Sequence, residues 1–380
     1  IYDIVIVGGG IMGGAIALEL AKHKLNVAVL DRQELMREAS WAAAGMLSPA
    51  PDCPAAIPAV PLGRASLDIY PKFVDAIEDG SGTRTGFRTG GAVVVISHGN
   101  ADDELSKLIA LHRGLGLACE PLALERTRMM EPGLGRDAQA AAFLPTECSI
   151  EPRRLTAAVL SAAKEAGVTL LPGWEVVSLL LEGKKCIGVK TALGESIHAS
   201  QVIVAAGCWS SQILNAGPYA RTVPLRGQMI ALRHSGTPIR NVLRSERGYI
   251  VPRGRTSPQT VILGSTIENA GYEKRVTSGG IEKILAAANA LVPELAKAEV
   301  IETWSGLRPG TPDQLPILGP ADIDNLVFAT GHYRNGILLA PITAQLTGEW
   351  VMQKKTSMDC ERFSPLRFLR SDLNPPTSVS

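Results

Sequence analysis

The stretch that decides the fold is "YDIVIVGGGIMGGAIALELAKHKLNVAVLD", residues 2–31. A β-branched apolar run at residues 4–7 leads into a glycine-rich turn, which is followed by a segment of helical character and a second apolar strand that ends in an acid. Strand, glycine turn, helix and strand within about thirty residues form one complete βαβ unit. This stretch therefore predicts the first unit of an open α/β sheet.

The glycines of the turn have a meaningful spacing. Gly8, Gly10 and Gly13 fill the G-x-G-x-x-G positions, which permit a tight turn, the close approach of a pyrophosphate and close helix–strand packing. Asp31 ends the second strand, where a carboxylate can accept hydrogen bonds from a ribose diol and repel a 2′-phosphate; the alternative is an ordinary solvated acid at a strand end. The predicted ligand is an unphosphorylated adenine dinucleotide, and NAD and FAD are both open at this point.

Two later segments repeat the strand-to-glycine pattern. They are "SQVIVAAGCWS" at 200–210 and "DNLVFATGHYRNG" at 324–336. Parallel strands of one open sheet bring their carboxyl ends to a common edge, where ligands bind. We therefore predict an α/β fold in which a Rossmann-like dinucleotide-binding domain is interrupted by inserted material.

The inserted material has a different sequence pattern from the strand-to-glycine segments. Residues 86–97 alternate towards a strand, residues 101–116 look helical, and residues 222–271 contain three strand-like runs that precede a helix at about 279–291. These predict a second, α+β domain with an antiparallel sheet, while 151–167 is a helix that returns to the first domain. We expect the first domain at 1–85, 150–221 and 309–370, the second at 86–149 and 222–308, and a disordered tail at 371–380.

Composition excludes several classes of function. The 380 residues carry 38 Lys+Arg against 37 Asp+Glu, without a basic block that would neutralise a phosphate backbone, so we expect no nucleic-acid partner. The six cysteines form no C-x-x-C pair and do not cluster with histidines, which favours a reduced cytoplasmic protein without a metal site. We expect no signal peptide, because the first strand begins at Tyr2, and no membrane span, because no run of about 18 apolar residues occurs.

Further segments carry a family resemblance. "SWAAAGML" (40–47), "GYIVPR" (248–253), "GLRPGTPDQLPILG" (306–319) and "GHYRNGILLAP" (331–341), with the first unit, resemble the D-amino-acid oxidase family of flavoproteins, most closely its glycine oxidase group, from Tyr2 to about Val351. The resemblance implies non-covalent FAD, since "LRPGTPDQLPILG" lacks the cysteine to which some members attach flavin. It also implies a homotetramer, O2 as electron acceptor, and oxidation of glycine to an imine for the thiazole synthase of thiamine production.

The resemblance further implies a set of FAD contacts. They follow the pyrophosphate turn, the adenosine, the flavin and the flavin's pyrimidine end in that order: Gly8, Gly10, Ile11, Met12 and Gly13; Asp31, Arg32 and Val176; Ser40, Ala44, Gly45, Met46, Ala206, Gly207 and Trp209; His332, Tyr333, Arg334, Asn335, Gly336, Ile337 and Leu338. A helix that begins near Gly336 presents unpaired N–H groups and about half a positive charge to the N(1)–C(2)=O edge of a reduced flavin. We expect Pro341 in its first turn.

Three residues are the catalytic candidates. A planar guanidinium can clamp a substrate carboxylate with two parallel hydrogen bonds, and Arg308, framed by glycine and proline, is suited to this. Tyr249 can donate to the same carboxylate, unless it is a core tyrosine, and Arg334 can contribute through its side chain or its carbonyl. No side chain is needed as a base, because an amino acid bound as its neutral amine can lose hydride directly.

The substrate pocket departs from the resembled group at two positions. Arg247 stands where that group has histidine and Ile267 where methionine is familiar, and Met46 is a third pocket candidate. A cation and a branched wall would suit substrates other than glycine, including ones with a second acidic group. The alternatives are a sarcosine or D-amino-acid oxidase, a non-catalytic flavoprotein, and an NAD-dependent dehydrogenase, which would leave the two later glycine-ended strands unused.

Overall fold

The computed structural model describes residues 1–369 and contains two eight-stranded sheets. The predicted tail at 371–380 lies outside the described residues. In chain order the strands are β1 (Tyr2–Val7), β2 (Val27–Asp31), β3 (Met46–Leu47), β4 (Ala92–Ile96), β5 (Glu120–Leu122), β6 (Ala140–Leu144), β7 (Cys148–Ser149), β8 (Thr169–Pro172), β9 (Val176–Glu182), β10 (Lys185–Thr191), β11 (Ser196–Val204), β12 (Val223–His234), β13 (Val242–Ser245), β14 (Gly248–Arg253), β15 (Gln259–Gly264), β16 (Glu299–Gly310), β17 (Ile317–Pro320) and β18 (Leu326–Thr330). The α-helices are α1 (Ile11–Ala21), α2 (Ala39–Ala42), α3 (Val60–Ser81), α4 (Ala101–Gly114), α5 (Leu124–Met130), α6 (Pro152–Glu165), α7 (Ser278–Leu291) and α8 (Gly336–Val351).

The first sheet brings the three glycine-ended strands together. Its order is β17-β18-β11-β1-β2-β8, with β10 and β9 attached at β11. Strands β1, β11 and β18 are adjacent and parallel: Val7 lies opposite Val204, and Val204 lies opposite Phe328. Their apolar residues are buried on both faces, as in sheets that carry helices on both sides. The α/β prediction is confirmed, and the carboxyl ends of these strands share one edge.

Helices α1, α3, α6 and α8 pack together against this sheet. The 22-residue helix α3 was not predicted from the sequence, although it is amphipathic and buries one face. It determines the start of α8, because Ser66 Oγ donates to the Leu338 carbonyl at 2.6 Å and the Tyr70 hydroxyl to the Ile337 carbonyl at 3.0 Å. The expected place of Pro341 was wrong by one turn: it lies in the second turn, where proline cannot donate to Ile337, and Tyr70 supplies that missing donor.

The second sheet is mostly antiparallel. Its order is β16-β12-β15-β14-β13-β4-β6-β5, and the β4–β13 pair is parallel. Helix α7 covers one face, with Ile284 and Leu291 packed among the buried residues of the strands. The predicted strands and helix of the insert are present, and β5, β6, β13 and β16 are additional strands. No helix within residues 1–369 has the length and apolar character needed to cross a membrane.

A charged and aromatic cluster joins the two sheets. The Arg153 guanidinium lies 3.6 Å from the Trp41 ring centroid and 4.6 Å from that of Trp304, and donates to both carboxylate oxygens of Glu302. Trp304 Nε1 also donates to the Ala42 carbonyl at 3.1 Å, so that β16 is held against α2. This contact places one face of the second sheet beside the glycine-rich edge of the first.

Candidate active site

A cavity of about 690 Å³ lies where the two sheets meet. Every residue predicted for cofactor, substrate or catalysis lines it except Gly13 and Leu338. A Cβ at residue 13 would overlap the Gly8 carbonyl, so Gly13 serves helix–strand packing, while Leu338 is buried in the core beneath the cavity. The tertiary structure thus gathers residues from widely separated segments of the chain around one space.

The glycine turn forms one wall of the cavity. Gly8 has φ +110°, and a Cβ there would overlap the carbonyl of Ala205 at the end of β11, so this position requires glycine. Helix α1 begins at Ile11, and its first N–H groups have no partner within the helix. Ile11 N–H donates to Ser40 Oγ at 2.9 Å, which ties the turn to α2.

Asp31 holds the glycine turn against the end of β2. Its carboxylate accepts from Gly9 N–H at 2.7 Å and from Gln33 N–H at 3.1 Å, while it also lines the cavity. Burial raises the pKa of Asp31, and the hydrogen bonds from Gln33 and Gly9 oppose that rise. Next to it, the Arg32 guanidinium lies 3.7 Å from the Trp209 ring centroid, so these two residues form a stacked pair at this end of the cavity.

A half-buried arginine that the sequence analysis did not single out holds the segment at 44–46. Arg253 donates to the Ala44 carbonyl at 2.6 Å and to the Ile150 carbonyl at 3.2 Å. Burial lowers the pKa of Arg253 to about 10. Gly45, between these contacts, has φ +83°, and a Cβ there would overlap the Ile150 carbonyl. The second sheet therefore positions a cavity wall that belongs to the first part of the chain.

Arg308 lies on β16 with its guanidinium held from one side. Its Nη1 donates to the Thr266 carbonyl at 3.1 Å and its Nη2 to Ser265 Oγ at 2.7 Å. Burial lowers the pKa of Arg308 from its ordinary value, but a guanidinium remains protonated in proteins. Across the sheet, Gly227 leaves the space that this group occupies, because a Cβ there would overlap it.

Tyr249 reaches the same region from β14. Its hydroxyl lies 3.3 Å from the sulfur of Met229, and it stands opposite Gly264, where a Cβ would come within 2.6 Å of the hydroxyl. A glycine in a strand pattern signals close approach of another group, and this signal could have found Gly227 and Gly264.

The two late sequence motifs are joined directly. Tyr333 N–H donates to the Pro309 carbonyl at 2.9 Å, which ties "GHYRNG" to "GLRPGT". His332 is buried, with Nε2 3.1 Å from Thr343 Oγ1, and burial lowers its pKa to about 3, so its ring is neutral at ordinary pH. Helix α8 begins at Gly336, as expected, and directs its first N–H groups towards the cavity.

Charged residues surround the mouth of the cavity. Arg334 Nη1 lies 3.2 Å from Asp52 Oδ1, and Arg244 donates to Glu147 at 2.9 Å. Strand β14 begins at Gly248, so Arg247 lies in the preceding turn, where its side chain is 58% exposed and 3.8 Å from Glu246. Ile267 is half exposed and lines the same cavity. Sequence reasoning missed Asp52 and the Arg244–Glu147 pair, since no local pattern in the sequence brings either acid to its arginine.

The whole cavity suits an elongated dinucleotide at one end and a small anion at the other. The glycine turn, Asp31 and the helix starts are recognised features of dinucleotide binding. Arg308 and Tyr249 supply donors that suit a carboxylate. The arrangement can therefore position a carboxylate-bearing substrate beside a bound cofactor.

Comparisons with known proteins agree with this geometry. The family model DAO, FAD dependent oxidoreductase, matches residues 3–350. The bifunctional protein ThiO/ThiG of Synechocystis sp. is 36% identical over 386 residues, a match that covers 98% of this chain and 55% of that protein. The chain thus spans about half the length of such bifunctional relatives.

Two solved structures of similar length resemble the chain throughout. The glycine oxidase of Geobacillus kaustophilus is 32% identical over 372 residues, with 97% of each protein covered, and its crystal structure matches with a TM-score of 0.90 over 96% of this chain and 98% of that chain. The iminodiacetate oxidase of Chelativorans sp. BNC1 matches with a TM-score of 0.85 at 27% identity, over 95% of this chain and 98% of that one.

Proposed function

This chain belongs to the DAO family of FAD-dependent oxidoreductases, and from that premise we propose that it oxidises glycine with O2 and water to glyoxylate, ammonia and hydrogen peroxide. The observation that carries the proposal is that Arg308 has no anionic partner among the described residues. Within residues 1–369 no carboxylate lies at salt-bridge distance from this half-buried, cavity-lining guanidinium. A partly buried cation without an anion is costly, and a substrate carboxylate would complete it.

The residues around the cavity fit FAD. The turn at 8–13 and the start of α1 would hold its pyrophosphate, Asp31 its ribose, and the segments 44–46 and 332–337 its flavin. Non-covalent binding is consistent with Cys208, a cysteine on the cavity wall: burial raises the pKa of this thiol to about 12 and keeps it protonated and unreactive. Bound FAD supplies the acceptor for the hydride of the substrate and passes the electrons to O2.

The protein's own contribution is position and charge. Arg308 would receive the carboxylate through the N–H groups that Thr266 and Ser265 leave free, and these two residues hold the guanidinium plane. Tyr249 would add a hydroxyl donor. The buried ring of His332 has a pKa of about 3 and lies against Thr343, so it is too weak a base to take a proton from an ammonium group, and the amine would enter in its neutral form. The start of α8 offers N–H groups and positive dipole to developing negative charge.

We place the reaction in thiamine production, where the imine formed from glycine would pass to a thiazole synthase. The bifunctional ThiO/ThiG relative supports this partner, because it joins two such functions in one protein by name. A homotetramer in the reducing cytoplasm is part of the same proposal, and all six cysteines are free thiols.

A second candidate is oxidation of a related secondary amine or D-amino acid. The likeness to iminodiacetate oxidase favours including such substrates. The test is peroxide release by the purified protein on glycine, sarcosine, D-alanine and iminodiacetate, with glyoxylate measured as product. Glycine as the preferred substrate is the expected result. Absence of peroxide with all four from protein that retains FAD would overturn the proposal, and flavin that stays with acid-precipitated protein would overturn non-covalent binding.

A further inference from the structure

The substrate end of the cavity contains three buried or half-buried arginines and an acid that lies among them. Asp52 is 3.2 Å from Arg334, and its negative charge also favours the charged forms of Arg308, whose pKa burial nonetheless lowers, and of Arg244, whose pKa is raised mainly by Glu147. Arg244 already has its own anion in Glu147, at 2.9 Å. The pairing is therefore Arg244 with Glu147 and Arg334 with Asp52, which leaves Arg308 alone to receive an anion.

The segment that carries Asp52 is anchored on both sides of it. Ser48 Oγ accepts from Arg244 at 3.1 Å, and Cys53 Sγ donates to Gln314 Oε1 at 2.8 Å. Asp52 itself is one-third exposed and lines the cavity. These contacts hold the backbone of this segment in place, so that Asp52 is presented to Arg334 at the cavity wall.

We propose that the Asp52–Arg334 ion pair restricts the site to substrates with a single carboxylate. The inference rests on the proposed function and deepens it by naming the substrate class. A second carboxylate on the substrate would approach Arg334 only against the charge of Asp52, so the pair repels dicarboxylic amines while it leaves the clamp at Arg308 open. Asp52 is in this view a specificity-determining residue.

The Arg247–Glu246 pair at the mouth of the cavity does not take over the role of the Asp52–Arg334 pair. Arg247 and Glu246 are 58% and 49% exposed, and their nearest charged atoms are 3.8 Å apart. Exposed pairs of this kind are screened by solvent and salt and contribute little. The sequence suggested Arg247 as the cation for a second acidic group. Its positive charge is offset by the carboxylate of Glu246, the preceding residue.

The test uses FAD-loaded wild type and the variants Asp52→Asn, Asp52→Glu and Glu175→Gln. Binding is measured through the visible absorbance of the bound flavin on titration with acetate, which has one carboxylate, and malonate, which has two. Glu175 is an exposed acid on the adenosine side of the same cavity and has no arginine partner among the described residues, so its variant is matched in charge. Turnover of glycine and iminodiacetate is measured alongside.

Asp52→Asn is expected to raise the affinity for malonate about tenfold relative to that for acetate, since the change frees Arg334 for a second carboxylate. The kcat/KM ratio of iminodiacetate to glycine should rise by a similar factor, while Asp52→Glu and Glu175→Gln stay near wild type. Adding Arg334→Met to Asp52→Asn should abolish the gain. Equal changes for acetate and malonate in Asp52→Asn, or the same gain in Glu175→Gln, would overturn the proposal.

Two further outcomes separate this inference from the function itself. If wild type oxidises no glycine, the proposed function fails, but the two titrations still decide the role of Asp52. If Asp52→Asn does not retain FAD, Arg334→Met alone is informative. This change leaves Asp52 without its cation and should weaken the binding of malonate more than the binding of acetate. An equal loss for both ligands in that variant would count against the pair as a determinant of specificity.

Discussion

The guanidinium of Arg308 occupies the space above Gly227, where a Cβ would overlap its terminal nitrogens. The two residues lie on the paired strands β16 and β12, with Gly227 directly opposite Gly306. The arginine is held in this place by Thr266 and Ser265. A residue without a side chain on one strand therefore positions the anion-binding group of its neighbour.

Gly227→Ala should displace Arg308 without removing its charge. Because a shift of about 1 Å in a substrate-positioning group can cost about a hundredfold, we expect kcat/KM for glycine to fall by about that factor while FAD is retained. Gly279→Ala is the control, since a Cβ there meets no atom within 4 Å. Steady-state kinetics with flavin absorbance decide the matter, and a normal rate in Gly227→Ala would show that the arginine tolerates the displacement.

Arg308→Lys tests geometry apart from charge. Lysine keeps the cation but loses the planar pair of donors. We expect normal FAD content and a loss of about a hundredfold in kcat/KM for glycine, which corresponds to about 2.7 kcal/mol of transition-state stabilisation, and a larger loss in Arg308→Ala. Near-normal turnover in Arg308→Ala would mean that the carboxylate is bound elsewhere, with Arg334 or Arg247 as the remaining candidates.

Asp31→Ala should weaken FAD binding. The change removes an acceptor from the cavity and also the anchor of Gly9 N–H, and loss of a charged acceptor costs about 1.5–3 kcal/mol. FAD affinity measured by fluorescence titration of the apoprotein should fall accordingly. Glu34→Ala is the comparison, because that side chain is 75% exposed and lies three residues away. An unchanged affinity would leave Asp31 as a structural residue at the end of β2.

Arg253→Met should loosen the wall at 44–46. The carbonyls of Ala44 and Ile150 would lose their donor, which we expect to destabilise the protein by about 2 kcal/mol and to lower FAD affinity. Denaturant unfolding of the FAD-loaded protein measures the first effect and flavin release the second. Arg233→Met, at an exposed position on β12, should change neither. Wild-type stability in the Arg253 variant would contradict its positioning role.

His332 should make the protein sensitive to acid. Burial lowers its pKa from 6.5 to about 3, so the folded state favours the neutral ring, and the associated stability is present above pH 6.5 and lost as the pH falls towards 3. Between pH 8 and pH 5 this amounts to about 2 kcal/mol. His332→Gln should lose that part of the pH dependence in denaturant unfolding, whereas His23→Gln, an exposed histidine, should keep it. Identical pH profiles for wild type and His332→Gln would refute the assignment.

Local patterns in the sequence determined the first βαβ unit, the glycine turn and the acid at residue 31. These are set by residues within about thirty positions of one another, where side-chain periodicity and backbone preference act directly. The three glycine-ended strands could be assigned to one edge for a similar reason, because parallel strands must present their carboxyl ends on the same side. The helix start at Gly336 and the arginine in "GLRPGT" were also visible in the sequence.

Only the tertiary structure decided which groups complete the site. Helix α3 supplies the donors that let Pro341 stand inside α8, β12 leaves room for Arg308 at Gly227, and Asp52 reaches Arg334 from a segment nearly three hundred residues earlier in the chain. Local propensity carries no information on such pairs, because a buried cation or carbonyl selects whatever partner the packing of two sheets brings within hydrogen-bond distance. The sequence determined the kind of cofactor cleft, while packing decided which charges remain free for the substrate.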